Sequence, residues 1–247
     1  MREALPAGNI DFTYAAAMLS VERQESDVTS VQAATLGPMP PSTTIDRFLD
    51  EKTHQELLSW TLQNADRFTP ATVTNDDVTH VHTAARDNLK LSDLGPLEAP
   101  IRQRMFAALP QLAQGLGCQF PGEALLELEL TAYGDGAFYR AHTDSVLPGH
   151  LKDRRLAEPD PRLLSAVYYF HRQPKAFDGG ALRIYRWGAS DDADPNNYRD
   201  LEPADNRLAV FLSWTRHEVR PVACPSRQFE DYRFAINCWY RAPVPLA

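Results

Sequence analysis

The hydrophobic period of this 247-residue chain changes once, near Phe120, and that change limits the folds open to it. Before it, apolar residues recur every three to four positions, as on a helix that buries one stripe. Phe48, Leu49, Leu57, Leu58, Trp60 and Leu62 make one such stripe between Ile45 and Phe68, with Asp50 placed as a cap. Ile101, Met105, Leu109, Leu112 and Leu116 make a second, opened by Pro100 and closed by Gly115 and Gly117. Pro110 is expected to kink or split it, because proline removes a helical donor. Beyond Phe120 the period is two, and strands are predicted over Leu125–Tyr133, Leu163–Phe170, Ala181–Arg186, Arg207–Leu212, His217–Val222 and Arg233–Tyr240. Gly134-Asp-Gly136, Phe177-Asp-Gly-Gly180 and Asp194-Pro195-Asn-Asn197 punctuate them. Helices followed by many short strands, without internal repeats, predict a mainly β fold: a jelly roll backed by supporting helices.

Residues 1–41 read as an N-terminal extension that can be partly disordered, with one helix around 11–23 and a closing Gly37-Pro-Met-Pro-Pro41 linker. Residues 42–247 read as a single domain, with helical support over about 45–117 and a β core over about 120–241. Two insertions stand out. Val146–Arg162 is Pro-rich and carries Lys152, Arg154 and Arg155, and its position makes it a candidate lid. Ala189–Asn206 is acidic and reads as a solvated loop.

Composition narrows the function classes. A formal charge of −8 argues against nucleic acid as a partner, since phosphate binding needs a basic surface. No apolar run is long enough for a membrane helix, and the N-terminus lacks a signal-peptide core, so no membrane association is expected. Cys118, Cys224 and Cys238 are odd in number and lack close spacing, which fits reduced thiols and a cytoplasmic location.

The chemistry-bearing pattern is His142-Thr-Asp144, then His217, then Arg233. Residues two apart on a strand share a face, so His142 and Asp144 can reach one ion. Two imidazoles and one carboxylate form the open site typical of non-haem Fe(II). A lone His-x-Asp also fits a surface turn with a hydrogen-bonded histidine. Arg233 stands in an apolar strand with no acidic neighbour, so its charge needs either an external carboxylate or an acid on an adjacent strand. His80 and His82 form a weaker candidate metal pair, read as a loop or strand feature, and neither His150 nor His171 is needed for a site.

Five blocks occur in order: Leu130 to Asp144, Ser165-Ala-Val-Tyr-Tyr-Phe170, Asp178-Gly-Gly-Ala-Leu-Arg-Ile184, His217-Glu-Val-Arg-Pro221 and Arg233-Phe-Ala-Ile-Asn-Cys-Trp239. Together they resemble the prolyl 4-hydroxylase-like branch of the 2-oxoglutarate/Fe(II) oxygenases. The resemblance implies a double-stranded β-helix, or cupin-like, core. It implies His142, Asp144 and His217 as catalytic iron ligands, and Arg233 with Tyr169 on the distal carboxylate of 2-oxoglutarate. Tyr133 matches a tyrosine near the co-substrate or substrate, Tyr139 and Trp239 match aromatics lining the substrate pocket, and Gly179-Gly180 matches the turn opening the next core strand. For Tyr133, Tyr139 and Trp239, simple core packing is an equal alternative. Spacing alone would favour Arg227, ten residues after His217, but only Arg233 carries the matching Arg-x-Ala-Ile-x-x-Trp context.

The implied cofactors are Fe(II) and 2-oxoglutarate, with O₂ as co-substrate and ascorbate as a supporting reductant. The implied reaction is hydroxylation, with succinate and CO₂ as by-products, and a carboxylate at Asp144 favours hydroxylation over halogenation. The expected substrate is a prolyl residue in a protein or peptide. A free amino acid or natural-product intermediate is the alternative, and a non-catalytic cupin-like binding protein or a zinc hydrolase are rivals of a different class.

Overall fold

A computed structural model describes residues 36–75, 78–80, 84–118, 120, 124–145, 161–189 and 193–241. The expected helix at 11–23, residues 146–160 of the candidate lid over 146–162, and His82 and His150 lie outside the described residues. Strand β1 (Ser42–Asp46) leads into helix α1 (Glu51–Gln63). Five short strands follow: β2 (Thr69–Pro70), β3 (Val73–Asn75), β4 (Val78–His80), β5 (Arg86–Asp87) and β6 (Leu89–Leu91). Helix α2 (Glu98–Gly115) precedes β7 (Leu125–Tyr133), β8 (Phe138–His142), β9 (Arg162–Phe170), β10 (Asp178–Gly179) and β11 (Leu182–Tyr185). The chain ends in β12 (Tyr198–Leu201), β13 (Arg207–Leu212), β14 (His217–Val219), β15 (Val222–Ala223) and β16 (Arg233–Arg241).

Two antiparallel sheets face each other. The major sheet has the order β1-β13-β9-β16-β7-β6-β2, and the minor sheet β12-β11-β14-β8-β5. Alternation along the major strands sorts their side chains. Leu128, Leu130, Ala132, Tyr168, Phe170, Phe234 and Ile236 face the helices, where they pack with Leu57, Ile101, Met105 and Leu112 in one buried cluster. Their alternates Tyr169, Ala209, Phe211 and Ala235 face the minor sheet and meet Leu182 and Ile184. Each fully buried aliphatic side chain stabilises this packing by about 1.5–3 kcal/mol.

The helix ends follow their sequence signals. The Asp50 carboxylate accepts from the Thr53 amide at 3.0 Å, and α1 stops where the Asn64 side chain donates to the Trp60 carbonyl. At the end of α2, Gly117 takes a left-handed conformation (φ +66), while the Cys118 and Gly117 amides donate back to Ala113 and Gln114. The helix runs unbroken through Pro110, because Met105, Ala108 and Leu112 on either side hold it against the sheet.

Four further sequence expectations change. The first helix does not begin at Ile45, because residues 42–46 pair with β13 as an edge strand. The support region is not wholly helical: β2 and β6 extend the major sheet, β5 extends the minor sheet, and β3 and β4 pair with each other. Part of the acidic segment is strand β12, held to β11 where Asp200 takes a bidentate bond from Arg183 at 2.8 Å. The expected strand 217–222 is interrupted at Arg220-Pro221 and continues as β15 in a small sheet with β10. Among the described residues no helix is long and apolar enough to cross a membrane.

Asn206 ties α1 to the sheet. Its side chain accepts from the Leu49 amide and the Tyr168 hydroxyl and donates to the Leu49 carbonyl, at 2.9–3.0 Å, from a backbone with φ +53. Asn206→Gly should lower unfolding free energy by about 2 kcal/mol through lost buried hydrogen bonds. Asn206→Ala should cost roughly 1 kcal/mol more, because alanine resists a left-handed backbone. Urea titration of both variants checks the order; equal losses would refute the backbone part.

Candidate functional site

Strand β8 delivers His142, and the bend after it delivers Asp144, whose amide donates to the Ser213 carbonyl at 2.9 Å. Strand β14 pairs with β8 so that His217 lies directly opposite His142. The three side chains converge, with their ligand atoms all within 4.8 Å of one another. His142 Nε2 is 3.5 Å from Asp144 Oδ1, and His217 Nε2 is 3.6 Å from Asp144 Oδ2.

Both rings are oriented by the backbone. His142 Nδ1 donates to the Arg140 carbonyl and His217 Nδ1 to the Thr215 carbonyl, each at 2.8 Å. A carbonyl only accepts, so Nδ1 carries the proton and each Nε2 turns a lone pair inward. The Ser165 hydroxyl donates to Asp144 Oδ2 at 2.7 Å and is itself 2.9 Å from Ser213 Oγ. Burial would raise the Asp144 carboxyl, but His217, His142 and the Ser165 bond hold it well below the usual carboxylate range. Burial, together with the charge of His142, pushes His217 down to about 4. At neutral pH the cluster is therefore one carboxylate and a neutral, inward-facing His217. A divalent ion about 2.1 Å from each ligand fits a triangle of this size.

Arg233 opens β16 and is 1% exposed. Its register partner on β7 is Tyr133, and its guanidinium lies 4.8 and 4.9 Å from the ring centres of Tyr133 and Tyr169. Arg233 Nε donates to the Gly180 carbonyl at 2.8 Å. Gly180 has φ +70, and a Cβ there would come within 2.7 Å of Arg233 Cδ, so only glycine lets the chain pass this close. Among the described residues, Arg233 Nη1 and Nη2 and the Tyr169 hydroxyl are buried without hydrogen-bond partners. Burial pushes the Tyr169 hydroxyl up to about 12 despite the neighbouring guanidinium, so it remains a donor. Three orphaned donors around one buried cation call for a carboxylate.

One cavity of about 750 Å³ joins these parts. The site residues implied by the family resemblance all line it except Tyr169, which lies beside Arg233. Tyr139 stacks on His142 at 3.7 Å between ring centres, and Trp239 lies under the Arg162 guanidinium at 3.9 Å. Arg227, the spacing-based alternative, is exposed and bound to Asp135, outside the cavity. His171 also stands apart, packed edge-on against Phe177. Sequence reasoning missed Ser165 and the wall formed by Arg86, Lys90 and Glu129. Ser165 had a signal, as the hydroxyl on the inward face of β9 that also carries Val167 and Tyr169.

Residues 128–241 match the family model described as the 2OG-Fe(II) oxygenase superfamily. An uncharacterized PKHD-type hydroxylase of Synechocystis sp. is 32% identical over 200 residues, covering 80% of this chain and 62% of that protein. The chain thus spans under two thirds of that relative's length. A Pseudomonas putida prolyl-4-hydroxylase matches with a TM-score of 0.55 and 26% identity, over 91% of this chain and 99% of that one. A Trichoplax adhaerens prolyl hydroxylase, solved with a hypoxia inducible factor peptide fragment, shares the fold at 17% identity and TM-score 0.54, over 93% and 90% of the two chains. The metal and co-substrate in that model's description, Fe(II) and 2-oxoglutarate, suit what the cavity offers: a His-Asp-His triangle and a buried guanidinium with unspent donors.

The low value at His217 has a thermodynamic consequence. Its free value is near 6.5, so between about pH 6.5 and 4 the unfolded chain binds a proton that the folded chain refuses. Stability of the metal-free protein should fall by about 3 kcal/mol across that window as pH drops. Asp144 extends the loss below about pH 4. His171, also held low by burial, contributes in the same upper window. The test is therefore the difference between wild type and His217→Leu in urea titrations at several pH values. Parallel pH curves for the two would exclude His217 as a source.

Proposed function

We propose that this protein is an Fe(II)- and 2-oxoglutarate-dependent dioxygenase that hydroxylates a prolyl residue in a protein or peptide. The observation that carries the oxygenase reading is the meeting, in one cavity, of an inward-facing His-Asp-His triangle and the orphaned donors of Arg233 and Tyr169. A zinc hydrolase would use the triangle and leave the buried guanidinium without a purpose. The prolyl assignment is supported by the likeness to the Pseudomonas prolyl-4-hydroxylase, and hydroxylation more generally by the PKHD-type relative.

In this reading His142, Asp144 and His217 hold the iron. Ser165 occupies Asp144 Oδ2, which leaves Oδ1 as the ligand oxygen. The backbone carbonyls behind the histidines fix both rings, so the lone pairs are aligned before metal arrives. Arg233 takes the distal carboxylate of 2-oxoglutarate through Nη1 and Nη2, and Tyr169 donates a third bond. Bound Fe(II), 2-oxoglutarate and O₂ supply the oxidising power to insert one oxygen atom into a C–H bond, releasing succinate and CO₂. Tyr139 and Trp239 flank the space left for the substrate and keep water from it.

Aerobic incubation with Fe(II), 2-oxoglutarate and proline-containing peptides under ¹⁸O₂ should give a peptide labelled by one oxygen and stoichiometric succinate. Absence of both product and 2-oxoglutarate consumption would refute the oxygenase reading. Arg233→Ala should weaken 2-oxoglutarate binding by about 100-fold or more, since breaking a buried charge pair costs roughly 3–5 kcal/mol. Arg227→Ala should leave it within about twofold, as exposed ion pairs contribute little. Calorimetric titration of the three proteins separates these outcomes, and the reverse ranking would move the carboxylate site to Arg227.

A further inference from the structure

We propose that the cavity wall around Arg86 is an anion subsite, and that the substrate carries a carboxylate close to the carbon that is oxidised. The proposal rests on the oxygenase reading of the same cavity. Arg86 lies on β5, is 8% exposed, and lines the cavity. Its Nε donates to Asn88 at 2.7 Å and its Nη2 to Glu129 at 2.6 Å, while Nη1 makes no bond among the described residues. The guanidinium lies 4.8 Å from the ring centre of Tyr139, whose ring stacks on His142. Arg86, Tyr139 and His142 thus form one column that ends at the metal triangle.

Glu129 does not neutralise this corner alone. Lys90 Nζ lies 3.8 Å from its other oxygen and donates to Thr72 at 3.0 Å. One carboxylate therefore serves two cations, and among the described residues the cluster keeps a net positive charge. A tie between β5 and β7 would need only one of them. An uncompensated charge in a poorly solvated site costs free energy unless a counter-anion arrives. Arg140, Arg162 and Arg233 also line the cavity, and Glu127 and Asp144 are its other carboxylates. Among the described residues, five cations against three carboxylates reverse the sign of a chain whose formal charge is −8. Arg86 is held by Glu129 and packs on Tyr139, whereas Arg233 is held by the Gly180 carbonyl, and both guanidiniums act on Tyr133 between them.

A carboxylate here has two sources: an acidic side chain next to the target residue, or a free C-terminal carboxylate. Both are tested on the full-length protein loaded anaerobically with Fe(II) and 2-oxoglutarate, so that nothing turns over. Capped Ala-Pro-Glu-Ala is titrated against capped Ala-Pro-Gln-Ala, and acetyl-Ala-Pro acid against its amide, by calorimetry. At least one acid should bind about tenfold tighter than its neutral twin, and the preference should fall below about twofold in Arg86→Gln. The twin pair that shows the preference identifies the source. Lys90→Met leaves the Arg86–Glu129 pair in place and should reduce the preference by about threefold, which keeps the test alive if Arg86→Gln fails to fold. Acid and neutral twins binding alike, or not at all, would overturn the proposal, as would a preference that survives both substitutions. If the acids bind as expected but the proline stays unmodified in air, the prolyl reading fails and the anion subsite stands.

Discussion

Strand β16 pairs with β7 along its nine residues and with β9 from Phe234 onward, and its register decides what every other part can do. In that register Phe234, Ile236, Cys238 and Tyr240 face the helices, while Arg233, Ala235, Asn237 and Trp239 face the minor sheet. A slip of one residue would send the arginine into an apolar layer and four large apolar side chains into the cavity. The helices contribute by making that error costly: Leu57, Ile101, Met105 and Leu112 fill the far side of the sheet so that only apolar side chains fit there. The site is thus a consequence of the core.

The charged groups of the site are arranged before any ligand is considered. Asp144 is held by a hydroxyl and a backbone carbonyl, the two histidines by carbonyls, and Arg233 by the Gly180 carbonyl. Each anchor leaves one face of its side chain unspent, and all the unspent faces look into one cavity. Rigid partial satisfaction of this kind lets a fold carry buried charge that would otherwise be neutralised internally.

The sequence made some of this legible and hid the rest for physical reasons. His142 and Asp144 were readable from their two-residue spacing, although the strand ends at His142 and a bend carries Asp144, and His217 because it opens another strand. Arg233 was readable as the cation of an apolar run without an acid. Ser165 was not assigned a role, since its acceptor is 21 positions away and comes close only when β8 folds over β9. Arg86 and Glu129 were hidden for the same reason, lying on different sheets and 43 positions apart. Ile45 was read as helical because Phe48 and Leu49 continue its spacing, yet pairing with Leu208 decides its state. Tyr198–Leu201 was read as a solvated acidic loop because an edge strand buries little, and its hold on β11 depends on Arg183 reaching Asp200.

The metal triangle draws on both sheets. His142 and His217 belong to the minor sheet, while the carboxylate between them is fastened to Ser165 on the major sheet. An ion at this point would act as a rivet through the two layers of the sandwich. Its binding free energy would then resist their separation as well as serve chemistry, and the layers would be held most firmly when the iron is loaded.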